Sequence, residues 1–279
     1  MIKYLASISL PPKYKTTIAR NGKLACASAL LSLCALQAQA TTVQFQTSLG
    51  DFEVNLYDEH TPITVENFLA YVNAGSYTDS IIHRSVDNFI VQGGGYTWEQ
   101  DENPARIETN PAILNEPVYS NVAGTIAMAK TGNNVNSATS QWFFNLKDNG
   151  ANLDIQNGGF TVFGHTDAAG LAILESISDL PVYSFQNSFE SMPLMDYTTD
   201  DANNQVPVEY EHAVKIYAIT VLDATVDTLG NETPVENDRI DSYEPPSSSN
   251  GGSGGGSLTL LGLLGLACLG LVRRKRTPR

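Results

Sequence analysis

The chain has 279 residues, with 16 lysines and arginines against 30 aspartates and glutamates, a net charge of −14. That length holds one large domain or two small ones, and the acidic balance argues against nucleic acid or an anionic lipid surface as a partner of the folded part. Cys26, Cys34 and Cys268 all lie near the ends, which excludes a disulfide or a thiolate metal site from the region between them.

Lys13, Lys15, Arg20 and Lys23 precede an apolar run over residues 24–36, followed by Ala38-Gln39-Ala40. A basic region, a short apolar region and an A-x-A site predict a secretory signal peptide over residues 1–40, cleaved after Ala40. The run is short of the ~20 residues a bilayer span needs. Leu33 stands before Cys34 where a lipoprotein signal would need a small residue. Between the two ends stand only six basic residues, Arg84, Arg106, Lys130, Lys147, Lys215 and Arg239, against all thirty acids, so the exported part carries −24. The acids are scattered and give no metal-ligand pattern. The four histidines, His60, His83, His165 and His212, have no ligand spacing either.

Residues 41–225 read as one domain. Val43, Phe45 and Thr47 alternate, Ser48-Leu49-Gly50-Asp51 turns, and Phe52, Val54 and Leu56 alternate again. This predicts a hairpin with one buried face. Thr61-Pro62 reads as the cap and first position of a helix. Val65, Phe68, Leu69 and Val72 form its inner stripe, and Gly75 closes it. Short strands are predicted over 81–83, 89–92, 125–129, 142–145 and 161–164, a second helix over 167–177 and a last strand over 213–222. The pattern predicts a mainly β fold, a closed antiparallel barrel capped by two α-helices. Two long segments, 97–121 and 183–208, read as loops.

Residues 226–257 are expected to be an unfolded acidic stretch that passes into a Gly/Ser-rich linker. Residues 258–279 are apolar and then basic, ending in Arg273-Arg274-Lys275-Arg276 and a few further residues. This arrangement resembles the GlyGly-CTERM sorting tail of some Gram-negative bacteria. The resemblance implies tethering to the inner membrane, or trimming and export to the cell surface; a plain C-terminal anchor is the alternative. The expected location is the periplasm, with membrane contact made through this segment.

The stretches PITVENFLAYVNAGSY, IHRSVDNFIVQGGGY, GTIAMAKTG, TSQWFFNL and FTVFGH, in this order, resemble the cyclophilin-type peptidyl-prolyl cis–trans isomerases. The resemblance spans residues 42–224 and implies a closed eight-stranded antiparallel barrel capped by two α-helices. It implies isomerisation of Xaa-Pro bonds without a cofactor or metal, in a monomeric domain that binds proline-containing unfolded or flexible segments. Arg84 matches the catalytic arginine of the family and Gln92 the glutamine that bonds the substrate. Gln141 matches a residue that positions the peptide backbone or Arg84. Ala129 and Lys130 lie on the strand that pairs with the peptide, where the family usually has asparagine at the lysine position. Phe89, Ile90, Met128, Phe143, Leu153 and Phe160 match the proline pocket and its rim. The alternative function is a proline-peptide-binding chaperone or assembly module with little turnover.

Asn152 stands where many relatives carry a tryptophan whose indole N–H grips cyclosporin. The chain is therefore expected to bind cyclosporin weakly while keeping its catalysis. A titration with the drug checks this, and a nanomolar dissociation constant would contradict it.

Overall fold

The computed structural model describes residues 41–185, 189–224 and 233–245. The expected signal peptide (1–40) and the membrane or sorting segment (258–279) lie outside the described residues, as do residue 225 and, of the expected linker, 226–232 and 246–257.

The fold is mainly β, an antiparallel sheet curled around an apolar interior with few helices. Strands β1 (Thr42–Thr47) and β2 (Gly50–Leu56) form the first hairpin, with Phe45 opposite Phe52. Helix α1 (Pro62–Asn73) follows. Next come β3 (Ser80–Ile81), β4 (Arg84–Val86), β5 (Ile90–Gly93), β6 (Tyr96–Thr97) and β7 (Ala105–Arg106). Then follow β8 (Thr125–Met128), β9 (Trp142–Asn145), the single turn α2 (Gly150–Leu153), β10 (Val162–His165) and α3 (Ala168–Ser178). The short hairpin β11 (Val182–Tyr183) and β12 (Met192–Pro193), helix α4 (Thr199–Asn203) and strand β13 (Lys215–Asp223) complete the series. In the main sheet the order is β4-β5-β9-β8-β10-β2-β1-β13-β3-β6-β7. The segment from β3 to β4 touches both flanks: Ile82 N–H donates to Val214 O beside β13 at 2.9 Å, and His83 N–H donates to Gln92 O on β5 at 3.2 Å.

The interior is aromatic. Phe45 stacks on Phe52 at 5.1 Å and meets Trp142 edge-on at 5.3 Å and Phe144 at 5.5 Å. Offset and edge-to-face contacts of this kind add to the stabilisation from burial itself. Helix α1 packs Val65, Phe68 and Val72 into this core. Thr61 takes the N-cap position with Pro62 at N1, but its hydroxyl does not cap the helix. That role falls to Glu116 of the 97–121 segment, whose carboxylate accepts from Thr64 N–H at 2.9 Å and Thr64 Oγ1 at 2.7 Å. A carboxylate there also meets the positive end of the helix dipole. At the other end Gly75 takes φ +70°, the left-handed conformation that ends helices.

Two expectations fail. The 183–208 segment is no plain loop. Beyond the β11–β12 hairpin and α4, Met192, Leu194 and Tyr197 are buried with Trp98 and Tyr96 in an apolar cluster of their own. Tyr183 donates to Tyr197 O and Tyr197 to Val206 O, so both of these hydroxyls are satisfied.

The second failure is in the expected 226–257 linker. Residues 233–245 form a strap against the domain, so the boundary at 225 falls too early. Ser120 N–H donates to Val235 O at 2.8 Å, and Asn237 N–H donates to Val118 O at 2.9 Å. Asn237 is itself buried, and its side-chain amide donates to Asp154 O at 2.9 Å. A polar segment can order in this way when its bonds satisfy backbone groups the domain would otherwise leave open.

Candidate active site

Arg84 and Gln92 face each other across the β4–β5 pair, and Gln92 lies beside Phe143 across the β5–β9 pair. This antiparallel register brings residues eight and fifty-one positions apart onto one outer face. Arg84 is half-buried, and its Nη1 donates to Gln92 Oε1 at 3.4 Å. Gln92 is only 1% exposed, and its Nε2 donates to Gln141 Oε1 at 2.9 Å. Gln141 in turn shares a side-chain hydrogen bond with His83. His83 is fully buried, and burial, with the Arg84 charge adding to it, lowers its pKa to about 4. At neutral pH it is an uncharged imidazole supporting a row of amides that ends at a guanidinium.

Close glycines make room for this row. A Cβ on Gly95 would lie 2.9 Å from Gln141 Cδ and 3.1 Å from His83 Cε1, and one on Gly93 would lie 2.5 Å from Trp142 Cη2. The Gly93-Gly94-Gly95 run is therefore a packing requirement as well as a turn.

Phe89, Ile90, Ala129, Phe143, Leu153 and Phe160 form one apolar cluster with Tyr57, Tyr119, Ala127 and Val162. Phe143 and Phe160 meet edge-on at 5.6 Å. Met128 does not join them. It is fully buried in the interior core with Trp142 and Phe144. The cause is the two-residue period of a strand: on β8, Ile126 and Met128 point inward, while Ala127 and Ala129 face the outer cluster. The expectation that Met128 lines the proline pocket is thus corrected.

The Lys130 side chain turns into the protein, with Nζ donating to Asn157 O at 2.9 Å and Gly159 O at 2.6 Å. Asn152 sits exposed on α2.

Sequence reasoning missed the floor beneath the cluster. Asp154, 1% exposed, accepts from Ser120 Oγ at 2.5 Å, from Asn121 N–H at 2.8 Å and from Asn121 Nδ2 at 2.9 Å. Asn145 donates to Asn121 Oδ1 at 3.2 Å, and Asn149 donates to Asn145 Oδ1 and to Phe89 O, both at 2.9 Å. This network ties β5, β9 and α2 together behind Phe89 and Leu153. In sequence these residues look like ordinary turn formers, and no spacing marks them as a unit.

A family model described as cyclophilin type peptidyl-prolyl cis-trans isomerase/CLD matches residues 42–199. Peptidyl-prolyl cis-trans isomerase A of Dickeya dadantii is 38% identical over 166 residues, which cover 56% of this chain and 84% of that protein. The peptidyl-prolyl cis-trans isomerase of Acinetobacter baylyi is 36% identical over 148 residues, covering 52% of this chain and 76% of that protein. Peptidyl-prolyl cis-trans isomerase B of Escherichia coli is 33% identical over 143 residues, covering 48% and 82%. Among solved structures, a cyclophilin type isomerase of Cryptosporidium parvum aligns with a TM-score of 0.47 at 20% identity, covering 66% of this chain and 98% of that one. With the family match running across more than half its length, the chain belongs to the cyclophilin-type peptidyl-prolyl cis–trans isomerases and is an isomerase of Xaa-Pro bonds.

Proposed function

We propose that this isomerase acts on proteins folding outside the cytoplasm, with Arg84 as the group that stabilises the half-rotated bond. The observation that carries the site assignment is the row from His83 through Gln141 and Gln92 to the Arg84 guanidinium, set beside the Phe89–Phe143–Phe160 cluster.

An amide resists rotation because its nitrogen lone pair is shared with the carbonyl, at a barrier of about 18–20 kcal/mol. As the bond twists, the proline nitrogen becomes pyramidal and basic. A cationic donor aimed at that nitrogen binds the twisted state better than either planar state, which is the requirement for catalysis. Gln92 holds the guanidinium and is placed to bond the substrate carbonyl or backbone. Gln141 fixes Gln92. The proline ring goes against Phe89, Phe143, Leu153 and Phe160, with Ile90 behind them. The backbone at Ala129 and Lys130 pairs with the peptide. Burial of a ring of that size contributes roughly 1.5–3 kcal/mol.

We read residues 80–86 as one strand joining the two flanks of the sheet, so that eight strands close into a barrel. The bonds from Ile82 to Val214 and from His83 to Gln92 support this. The extracytoplasmic setting rests on the signal-peptide pattern of residues 1–40. Attachment to the membrane, or sorting to the surface, rests on the apolar and basic pattern of residues 258–279. Mass determination of the mature protein in membrane and secreted fractions tests both ends; an intact N-terminus with all of it in the cytosol would refute the setting.

The site assignment makes a prediction at Gly95. Gly95→Ala is expected to push Gln141 and His83 aside and lower kcat/KM roughly tenfold or more, because small misplacements of catalytic groups are costly. A protease-coupled isomerisation assay on the full-length variant, with its melting temperature alongside, checks this. Unchanged kinetics in a folded variant would show that the amide row does not support the reaction.

A further inference from the structure

We infer that Lys130 is a positioning residue, whose ammonium fastens residues 157–159 to the substrate-facing strand and so fixes Phe160 as a wall of the proline pocket. This rests on the reading of Phe160 given above.

The segment before Phe160 is unusual. Asn157, Gly158 and Gly159 take φ of +51°, +75° and +72°, three left-handed residues in succession. A single 3-10 turn over Gln156–Gly158 uses the carbonyls of Ile155 and Gln156, so those of residues 157–159 need partners from elsewhere. Lys130 supplies them: its Nζ bonds Asn157 O and Gly159 O, and it lies 5.0 Å from the centre of the Phe160 ring. One cation thus holds the segment and the face of the pocket wall together.

The segment is also held from outside. Asn115 Nδ2 donates to Gly158 O at 2.7 Å and Gly159 O at 2.9 Å. A Cβ on Gly159 would lie 3.2 Å from Ile240 Cδ1 of the strap. Lys130 is only 4% exposed, and its bonded partners are two carbonyls and a ring face, with no carboxylate among them. A buried ammonium in that setting is costly to keep. Burial draws its pKa down to about 8, so the charged form occupies the site at neutral pH. An asparagine here would be too short to reach both carbonyls, whereas the lysine spans them as a long charged clamp.

The test uses Lys130→Met, Lys130→Asn and Lys130→Arg in the full-length chain, with Phe160→Ala as reference. Lys130→Met removes the charge at similar length and keeps the packing, and Lys130→Asn removes it but keeps a polar group, so at least one neutral variant is expected to fold. Both are expected to raise KM for an Xaa-Pro peptide roughly fivefold or more with kcat within about twofold, and Lys130→Arg to recover part of the loss. In the Phe160→Ala background the added effect of Lys130→Met is expected to vanish, because the wall it positions is gone. Neutral variants with unchanged KM, or a loss confined to kcat, would overturn the inference while Phe160→Ala still raises KM. An unchanged KM in Phe160→Ala would instead remove the pocket reading, and this inference with it.

Discussion

Arg84→Ala is expected to lower kcat/KM by about 10²–10³-fold, the usual cost of losing one preorganised donor to a transition state. Substrate affinity should change far less, because the guanidinium serves the twisted bond and the apolar cluster serves the ground state. Arg84→Lys is expected to recover little. A lysine carries the charge but not the planar fork that bonds Gln92 and reaches the substrate together. Stability should barely move, since Arg84 is half-buried at the start of a short strand. A protease-coupled assay gives kcat/KM, and peptide titration by line broadening gives affinity. Equal rates for variant and wild type would leave only a binding module, the alternative considered from sequence.

Asp154→Ala is expected to give the largest loss of stability of any single change discussed, about 3–5 kcal/mol. The carboxylate is buried and accepts from Ser120 Oγ, Asn121 N–H and Asn121 Nδ2. Removing it strands Ser120 Oγ and Asn121 N–H and leaves Asn121 Nδ2 only its longer bond to Phe160 O, and the penalty for unmet buried groups exceeds the net value of the bonds themselves. For a domain of this size the melting temperature should fall by about 10 °C or more. Asp154→Asn should fall between, since one carbonyl oxygen survives while an N–H₂ now faces the other donors. Activity is expected to fall with stability, because the network underlies Phe89 through Asn149 and borders Leu153. A melting temperature within two or three degrees of wild type would show that the network is dispensable.

Local pattern made much of this legible. Strand β9 reads from Trp142-Phe143-Phe144-Asn145, because a short run of large aromatic residues suits a strand buried on both faces. The two longer helices, α1 and α3, likewise follow their apolar stripes, with Pro62 opening α1 and Asp167 capping α3. At the site, Arg84, Gln92, Gln141, Phe89 and Phe143 came from motif register, and they sit together on one face.

Met128 shows the limit of register. Its neighbours Ala127 and Ala129 are small enough that the strand's inward and outward faces are hard to tell apart from sequence. The strap was invisible for another reason. Residues 233–245 are polar, and their order comes from a few bonds to residues more than eighty positions away, chiefly through Asn237. Composition reports burial and says little about such long-range polar pairing. The same holds for the Asn121–Asn145–Asn149–Asp154 floor and for Glu116, which caps a helix some fifty residues earlier in the chain.

A crystal structure of the chain with a bound Xaa-Pro peptide tests the central claim most directly. The proline ring should rest against Phe143 and Phe160, with an Arg84 Nη atom about 3–3.5 Å from the proline nitrogen or poised to reach it as the bond twists. Finding the guanidinium turned to solvent or locked on a carboxylate while the peptide occupies the cluster would contradict it.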